Sequence, residues 1–273
     1  MKAGRPRVLV YGAGVWGCLL RHALLQGGNA VALLCRGAWK RVVDERGLVI
    51  RHWGRLRATA ESVPTVASLA PRDKYDVIFV AVRFTQIANV LEALAKNCSR
   101  HVVFVGNNPA AGATLSAMRA LSNAPREVAF GFQSSGSRRE KESVAGIYAR
   151  LGMTVGAVHG EMRAEMRALL ERLFAGARYR LHFQRDMDAY LKCHAALILP
   201  VPARFIAAAG TCDAAGRTTG VPLFALRWRA MRYCAPGERP FCPRKTRSSS
   251  AIDPGRRRHG YGFCARRRWA AWP

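Results

Sequence analysis

Four apolar residues, Val8-Leu9-Val10-Tyr11, lead straight into Gly12-Ala13-Gly14-Val15-Trp16-Gly17. After them Leu19, Leu20, Ala23 and Leu24 continue from Trp16 at helical spacing as far as Gln26-Gly27-Gly28. This pattern predicts a buried strand, a tight turn and a helix that stops at paired glycines. The spacing G-x-G-x-x-G is weak evidence alone. Set between a strand and a helix, with a second apolar run at Ala30 to Leu34, it specifies a βαβ unit whose turn accepts a dinucleotide pyrophosphate.

Each glycine has its own task in that chemistry. Gly12 makes the tight turn, Gly14 lets the backbone approach the phosphates, and Gly17 allows close helix packing, with Ala13, Val15 and Trp16 supplying the backbone between them. The helix start presents N–H groups and the positive end of its dipole to the anion. The second strand selects the nucleotide. Binders of NAD carry an acidic residue about 20 positions on, for the ribose 2′-hydroxyl. Here the strand ends Leu34-Cys35-Arg36-Gly37, and the next carboxylate is Asp44. A guanidinium at Arg36 suits a 2′-phosphate, so NADPH is the expected cofactor.

Further on, Ala38 to Arg46 is expected as a helix, Tyr75 to Val82 as a buried strand, Ile87, Val90, Leu91 and Leu94 as one helical face, and Val102 to Val105 as a strand. Apolar strands alternating with amphipathic helices predict an α/β fold, a Rossmann-type doubly wound and mostly parallel sheet, over residues 1–158. From Val128 the pattern reads as shorter extended pieces around Gly131, Gly136, Gly146 and Gly156, with Arg138-Arg139-Glu140-Lys141 as a polar turn. After Gly160 helical stripes return, first Met162, Met166, Leu169, Leu170 and Leu173, then Met187 to Leu199. Residues 159–210 are therefore read as the start of a helical domain for substrate and dimerisation, with the boundary near Val158 to Glu161.

Four stretches together resemble the ketopantoate reductase family: Val8 to Gly17 with Arg36, Val80-Ala-Val-Arg-Phe-Thr-Gln86, Val105-Gly-Asn-Asn-Pro109, and Asp186-Met-Asp-Ala-Tyr-Leu-Lys-Cys-His194. The resemblance spans about residues 7–210. It implies a cytoplasmic enzyme, expected as a homodimer, that reduces a small 2-keto acid such as 2-dehydropantoate (ketopantoate) with NADPH. It also implies that Arg83, where the family has lysine, lies near the cofactor phosphates, and Gln86 matches the family's glutamine. Asn107 takes the place of an asparagine beside nicotinamide and substrate. Gly106 and Asn108 depart from the family's Gln-Asn-Gly, and the alternative makes Asn107 and Asn108 plain turn residues before Pro109. Lys192 takes the place of the catalytic lysine, which hydrogen-bonds the keto oxygen and delivers the proton. One turn later Ala196 stands where the family has asparagine. His194, two positions from Lys192, points to another side of the helix and is read as a core or interface histidine.

Charge then divides the chain. Its 273 residues hold 44 Lys+Arg against 17 Asp+Glu, a net charge of +27, which alone would suit nucleic acid, an anionic membrane surface or polyanionic substrates. Residues 211–273 carry 14 of those basic side chains, but their only carboxylates are Asp213, Glu238 and Asp253. The family's substrate carboxylate and serine, expected on later helices, have no assignable counterpart there. Three readings account for this block: a divergent folded domain, a basic tail for RNA, DNA or acidic partners, or the translation of a shifted reading frame. The tail would use Arg256-Arg257-Arg258, Arg266-Arg267-Arg268, Trp228, Trp269 and Trp272. The shifted frame is favoured, because helical periodicity ends abruptly. The rival function is accordingly a non-catalytic NADP-binding or a nucleic-acid-binding protein. Eight cysteines without close pairs predict a reduced, cytosolic chain with no metal site, and Cys234, Cys242, His259 and Cys264 match no common zinc spacing. Ala195 to Ala203, broken by two prolines, is too short to span a bilayer.

Overall fold

The computed structural model describes residues 5–52 and 58–198. β1 (Arg7–Tyr11) enters the glycine turn, α1 (Val15–Gln26) leaves it, and β2 (Ala30–Leu34) lies parallel to β1 with Val8 opposite Val31. α2 (Gly37–Arg46), β3 (Leu48–His52), β4 (Ala58–Glu61) and the short β5 (Thr65–Val66) follow. Next come β6 (Val77–Val80), a 3₁₀ turn at Phe84–Gln86, α3 (Ala88–Lys96), β7 (His101–Val105) and α4 (Ala111–Leu121). A long hairpin of β8 (Glu127–Arg139) and β9 (Val144–Gly156) leads to α5 (Ala164–Phe174), β10 (Arg180–Phe183) and α6 (Met187–Ile198).

The strands form one sheet in the order β4-β3-β9-β8-β7-β6-β1-β2-β5, with β10 also paired to β9. Among the described residues only the β3–β4 and β8–β9 pairs are antiparallel. The apolar runs of the central strands follow from burial on both faces. Val8, Val10, Val77, Phe79, Val103 and Val105 point to one core, and Leu9, Tyr11, Ile78, Val80, Val102 and Phe104 to the other. α1 and α5 cover the first face through Leu20, Leu24, Met166 and Leu170; α3, α4 and α6 cover the second through Leu91, Leu94, Met118, Met187 and Leu191.

Four elements depart from the sequence-based expectation, and Arg138 and Arg139, expected in a polar turn, end β8 instead. The pieces expected around Gly131, Gly136, Gly146 and Gly156 are two 13-residue strands with a register shift between Ser134 and Gly136. Glycine marks close packing here rather than chain reversal: a Cβ at Gly131 would lie 2.5 Å from Met153 Sδ, and one at Gly152 would lie 2.7 Å from the Arg180 carbonyl oxygen. β4 and β10 were not anticipated, because each is only partly buried and mixes polar with apolar residues. α5 and β10, which follow the boundary expected near Val158 to Glu161, add to this same sheet and core. One buried charge joins distant elements. Arg21 on α1, 1% exposed, donates to the Glu61 carboxylate at the end of β4 and, at 2.8 Å, to the Ser62 carbonyl. His22 Nδ1 lies 2.5 Å from the other Glu61 oxygen.

The block 211–273, with its three readings and its cysteine, histidine and tryptophan positions, lies outside the described residues, as do residues 199–210. Among the described residues no helix is long and apolar enough to cross a membrane.

Candidate functional site

A cleft of about 950 Å³ opens at the carboxyl ends of β1, β2, β6 and β7. β1 lies between β2 and β6, so the connections leave it in opposite directions. Such a switch point is where open parallel sheets take their ligands.

The glycine turn forms the cleft floor. Gly12 has φ +113°, and a Cβ there would lie 2.5 Å from the Ala81 carbonyl oxygen, so both the backbone angle and β6 require glycine. At Gly17 a side chain would collide with the Gly12 carbonyl oxygen, so this glycine seats α1 against the turn and does not line the cleft. Gly14, the N-cap of α1, is the opposite case. Nothing lies within 4 Å of a Cβ placed there, which leaves the backbone open to a ligand at the helix start. No acidic residue occupies the first turn of α1, and its N–H groups lack intrahelical partners. Ala13, Val15 and Trp16 line the same wall. Burial pushes the Cys18 thiol behind the turn up to about 12, so it stays protonated and unreactive.

Arg36 stands just past β2, its Nε donating to the Ala67 carbonyl at 3.0 Å and its Nη2 to the Tyr11 hydroxyl at 3.2 Å. These bonds orient the guanidinium and leave three of its five N–H donors available. Asp44, the next carboxylate in sequence, is turned away to Lys40 and Thr65, and the Lys40 hydrogen bond holds its carboxyl below the usual range. Arg83 and Gln86 line the opposite wall, where the Gln86 side chain accepts from the Arg83 N–H at 3.3 Å. The two asparagines after β7 separate. Asn107 is exposed in the cleft, whereas Asn108 is buried, donating to Thr114 Oγ1 at 3.0 Å and accepting from the Ala110 N–H at 3.1 Å at the start of α4.

Among the cleft residues that escaped the sequence reading, Arg139, Phe84 and Trp39 stand out. Arg139, from the far end of β8, donates to the Ala13 carbonyl at 2.7 Å and lies 4.6 Å from the Trp39 ring centroid, bracing the glycine turn from outside. Its place depends on hairpin length and bulge, which no local motif encodes. Phe84, 44% exposed, and Trp39 add aromatic surface to the cleft. Among the described residues lining it are three arginines, Arg36, Arg83 and Arg139, and no carboxylate. That balance suits an anion with several phosphates.

Lys192 is not brought to the cleft. It sits on α6, 59% exposed and paired with Asp188 one turn earlier. His194 on the same helix packs against Phe132 with ring centroids 3.8 Å apart and planes tilted by 44°, and Phe132 in turn meets Trp16 edge-on at 5.3 Å. Burial lowers the His194 pKa.

The sequence matches the family model for ketopantoate reductase PanE/ApbA over residues 8–159. No curated protein sequence matches the chain. Among solved structures, a PanE/ApbA family ketopantoate reductase from Ralstonia eutropha JMP134 is similar at 18% identity and TM-score 0.57, covering 70% of this chain and 60% of its own. A 2-dehydropantoate 2-reductase from Methylococcus capsulatus is similar at 18% identity and TM-score 0.59, covering 72% and 64%. D-mandelate dehydrogenase, solved with NADH and anilino(oxo)acetate, is similar at 15% identity and TM-score 0.57, covering 84% and 80%. The chain thus spans less than two thirds of the length of the first two relatives. At these identities the structures speak for the fold, and the match through the glycine turn, β6, β7 and the hairpin speaks for descent: the chain belongs to the ketopantoate reductase PanE/ApbA family.

Proposed function

We propose that this protein is an NADPH-dependent reductase of a small 2-keto acid, with 2-dehydropantoate as the first substrate to test. The observation that carries this reading is Arg36, oriented by Ala67 and Tyr11 beside a cleft without a lining carboxylate. The residues fit the cofactor: the open backbone at Gly14 takes the pyrophosphate, Arg36 the 2′-phosphate, and Arg83 and Arg139 add positive field along the walls. When bound, NADPH supplies a hydride to the carbonyl carbon. Asn107 orients the carbonyl at the end of β7. Lys192 lies outside the cleft, paired with Asp188; for catalysis it must leave that pair and move to the keto oxygen, where Nζ donates a hydrogen bond and gives up its proton as charge develops. Asp188 holds the lysine until substrate arrives.

Oxidation of NADPH by the full chain, followed against a panel of 2-keto acids, is the direct test. Arg36→Ala is expected to weaken NADPH about tenfold or more while leaving NADH nearly unchanged, because only the former carries the 2′-phosphate. Lys192→Ala is expected to lower kcat by roughly 10²- to 10⁴-fold with NADPH affinity retained. Equal affinity for the two nucleotides in the wild type would overturn the cofactor assignment. Turnover unaffected by Lys192→Ala would remove the proposed proton donor.

A further inference from the structure

At the opposite end of the sheet, where β7 and β8 begin, three potential ligand atoms converge from three elements. His101 Nε2 lies 3.6 Å from Glu127 Oε2 and 3.8 Å from Glu165 Oε1, and the three groups' ligand atoms all fall within 4.8 Å of one another. The His101 and Glu127 side chains are only 11% and 10% exposed. His101 Nδ1 lies 2.9 Å from the Asp76 carbonyl, which can only accept, so Nδ1 carries the proton. Nε2, the other ring nitrogen, faces the two carboxylates. Neither oxygen of Glu127 accepts a hydrogen bond, and Nε2 makes none, although all three atoms are buried. Protonating Nε2 would not repair this, since 3.6 and 3.8 Å exceed hydrogen-bonding distance.

One group satisfies all of these atoms together. Two ligand atoms each about 2.1 Å from a single ion lie roughly 3.0–4.2 Å apart for angles between 90° and 180°, which brackets the two separations from His101 Nε2, and the two glutamate oxygens lie within 4.8 Å of each other. The backbone hydrogen bond at Nδ1 is the outer contact that fixes a ligating histidine in its tautomer. Arg100 approaches Glu165 at 3.3 Å, where it steadies this exposed third ligand. We propose that His101, Glu127 and Glu165 form a divalent transition-metal site, suited to Zn²⁺, with water completing the coordination. The ion ties the starts of β7 and β8 to the first turn of α5. It lies at the amino ends of these strands, away from the nucleotide cleft at their carboxyl ends, so it serves the fold and not the hydride transfer.

Titration of chelator-stripped full chain with Zn²⁺ by calorimetry tests this, with Glu165→Ala and Glu127→Gln as variants. Glu165 is exposed, so its truncation leaves the core intact. One equivalent is expected to bind the wild type with a Kd in the micromolar range or tighter, weakened at least about tenfold in each variant. Cysteine sites are distinguished with Co²⁺, whose spectrum at this nitrogen and oxygen site lacks thiolate charge-transfer bands. Absence of saturable binding would overturn the proposal. So would binding that both variants retain, or a thiolate signature in the Co²⁺ spectrum.

Discussion

Gly12 and Gly14 stand two residues apart in one turn and fail differently when changed. Alanine at Gly12 meets a positive φ and the Ala81 carbonyl together, so Gly12→Ala is expected to lower stability by about 1–3 kcal/mol and to disturb the nucleotide wall. Alanine at Gly14 meets nothing in the protein. It should leave Tm unchanged and weaken NADPH by about tenfold, roughly 1.4 kcal/mol, because the methyl occupies ligand space. Thermal melts paired with fluorescence titration of NADPH separate the two, and parallel losses of stability would refute the distinction. Single residues were also where sequence reading was sharpest. The glycines and Arg36 declared themselves through spacing, and the structure puts Asn107, not Asn108, on the cleft. Arg139 stayed hidden because its role belongs to a position in space reached only after 13 residues of β8.

Elements were legible in proportion to how fully they are buried. β1, β2, β6 and β7 announce themselves as apolar runs because both faces meet helices, whereas β4 and β10 alternate between partial and full exposure and carry little pattern. The charge that docks β4 is equally silent in sequence, since Glu61 lies 40 residues from Arg21. Removing that carboxylate strands a buried guanidinium. Glu61→Ala is therefore expected to cost about 3–5 kcal/mol, read as a lowered urea midpoint, and a cost near zero would show that Arg21 reaches water. α6 carries a pH dependence of its own. His194 is held neutral by burial against Phe132, so its folded-state pKa is below the unfolded value of about 6.5. The stability this contributes is complete above that pH and is lost as pH falls through it, because the unfolded chain binds the proton first. His194→Phe should flatten the decline in denaturation midpoint between about pH 7.5 and 5.5.

For the whole molecule, the proposed function links nucleotide and fold through one free energy. At free NADPH 100 times its Kd, binding to the folded state alone adds about 2.7 kcal/mol. For a body near 200 residues this raises Tm by roughly 5–11 °C. Differential scanning calorimetry of the full chain should show that rise, smaller with NADH at the same concentration, and no rise with either would dissociate the cleft from nucleotide. The charge of +27 is also partitioned at this scale. Arg36, Arg83 and Arg139 face the cleft, while 14 of the basic residues belong to 211–273, outside the described residues. The brace between Arg139 and Ala13, and the ring contact between Phe132 and Trp16, set a timetable for synthesis. The fingerprint leaves the ribosome within the first twenty residues, but the side chains that steady it arrive more than a hundred residues later. Contacts of that sequence span form slowly. A nascent chain therefore displays the motif well before it owns the pocket, and under the proposed function the shortest product expected to grip a dinucleotide is one whose β8 has cleared the exit tunnel.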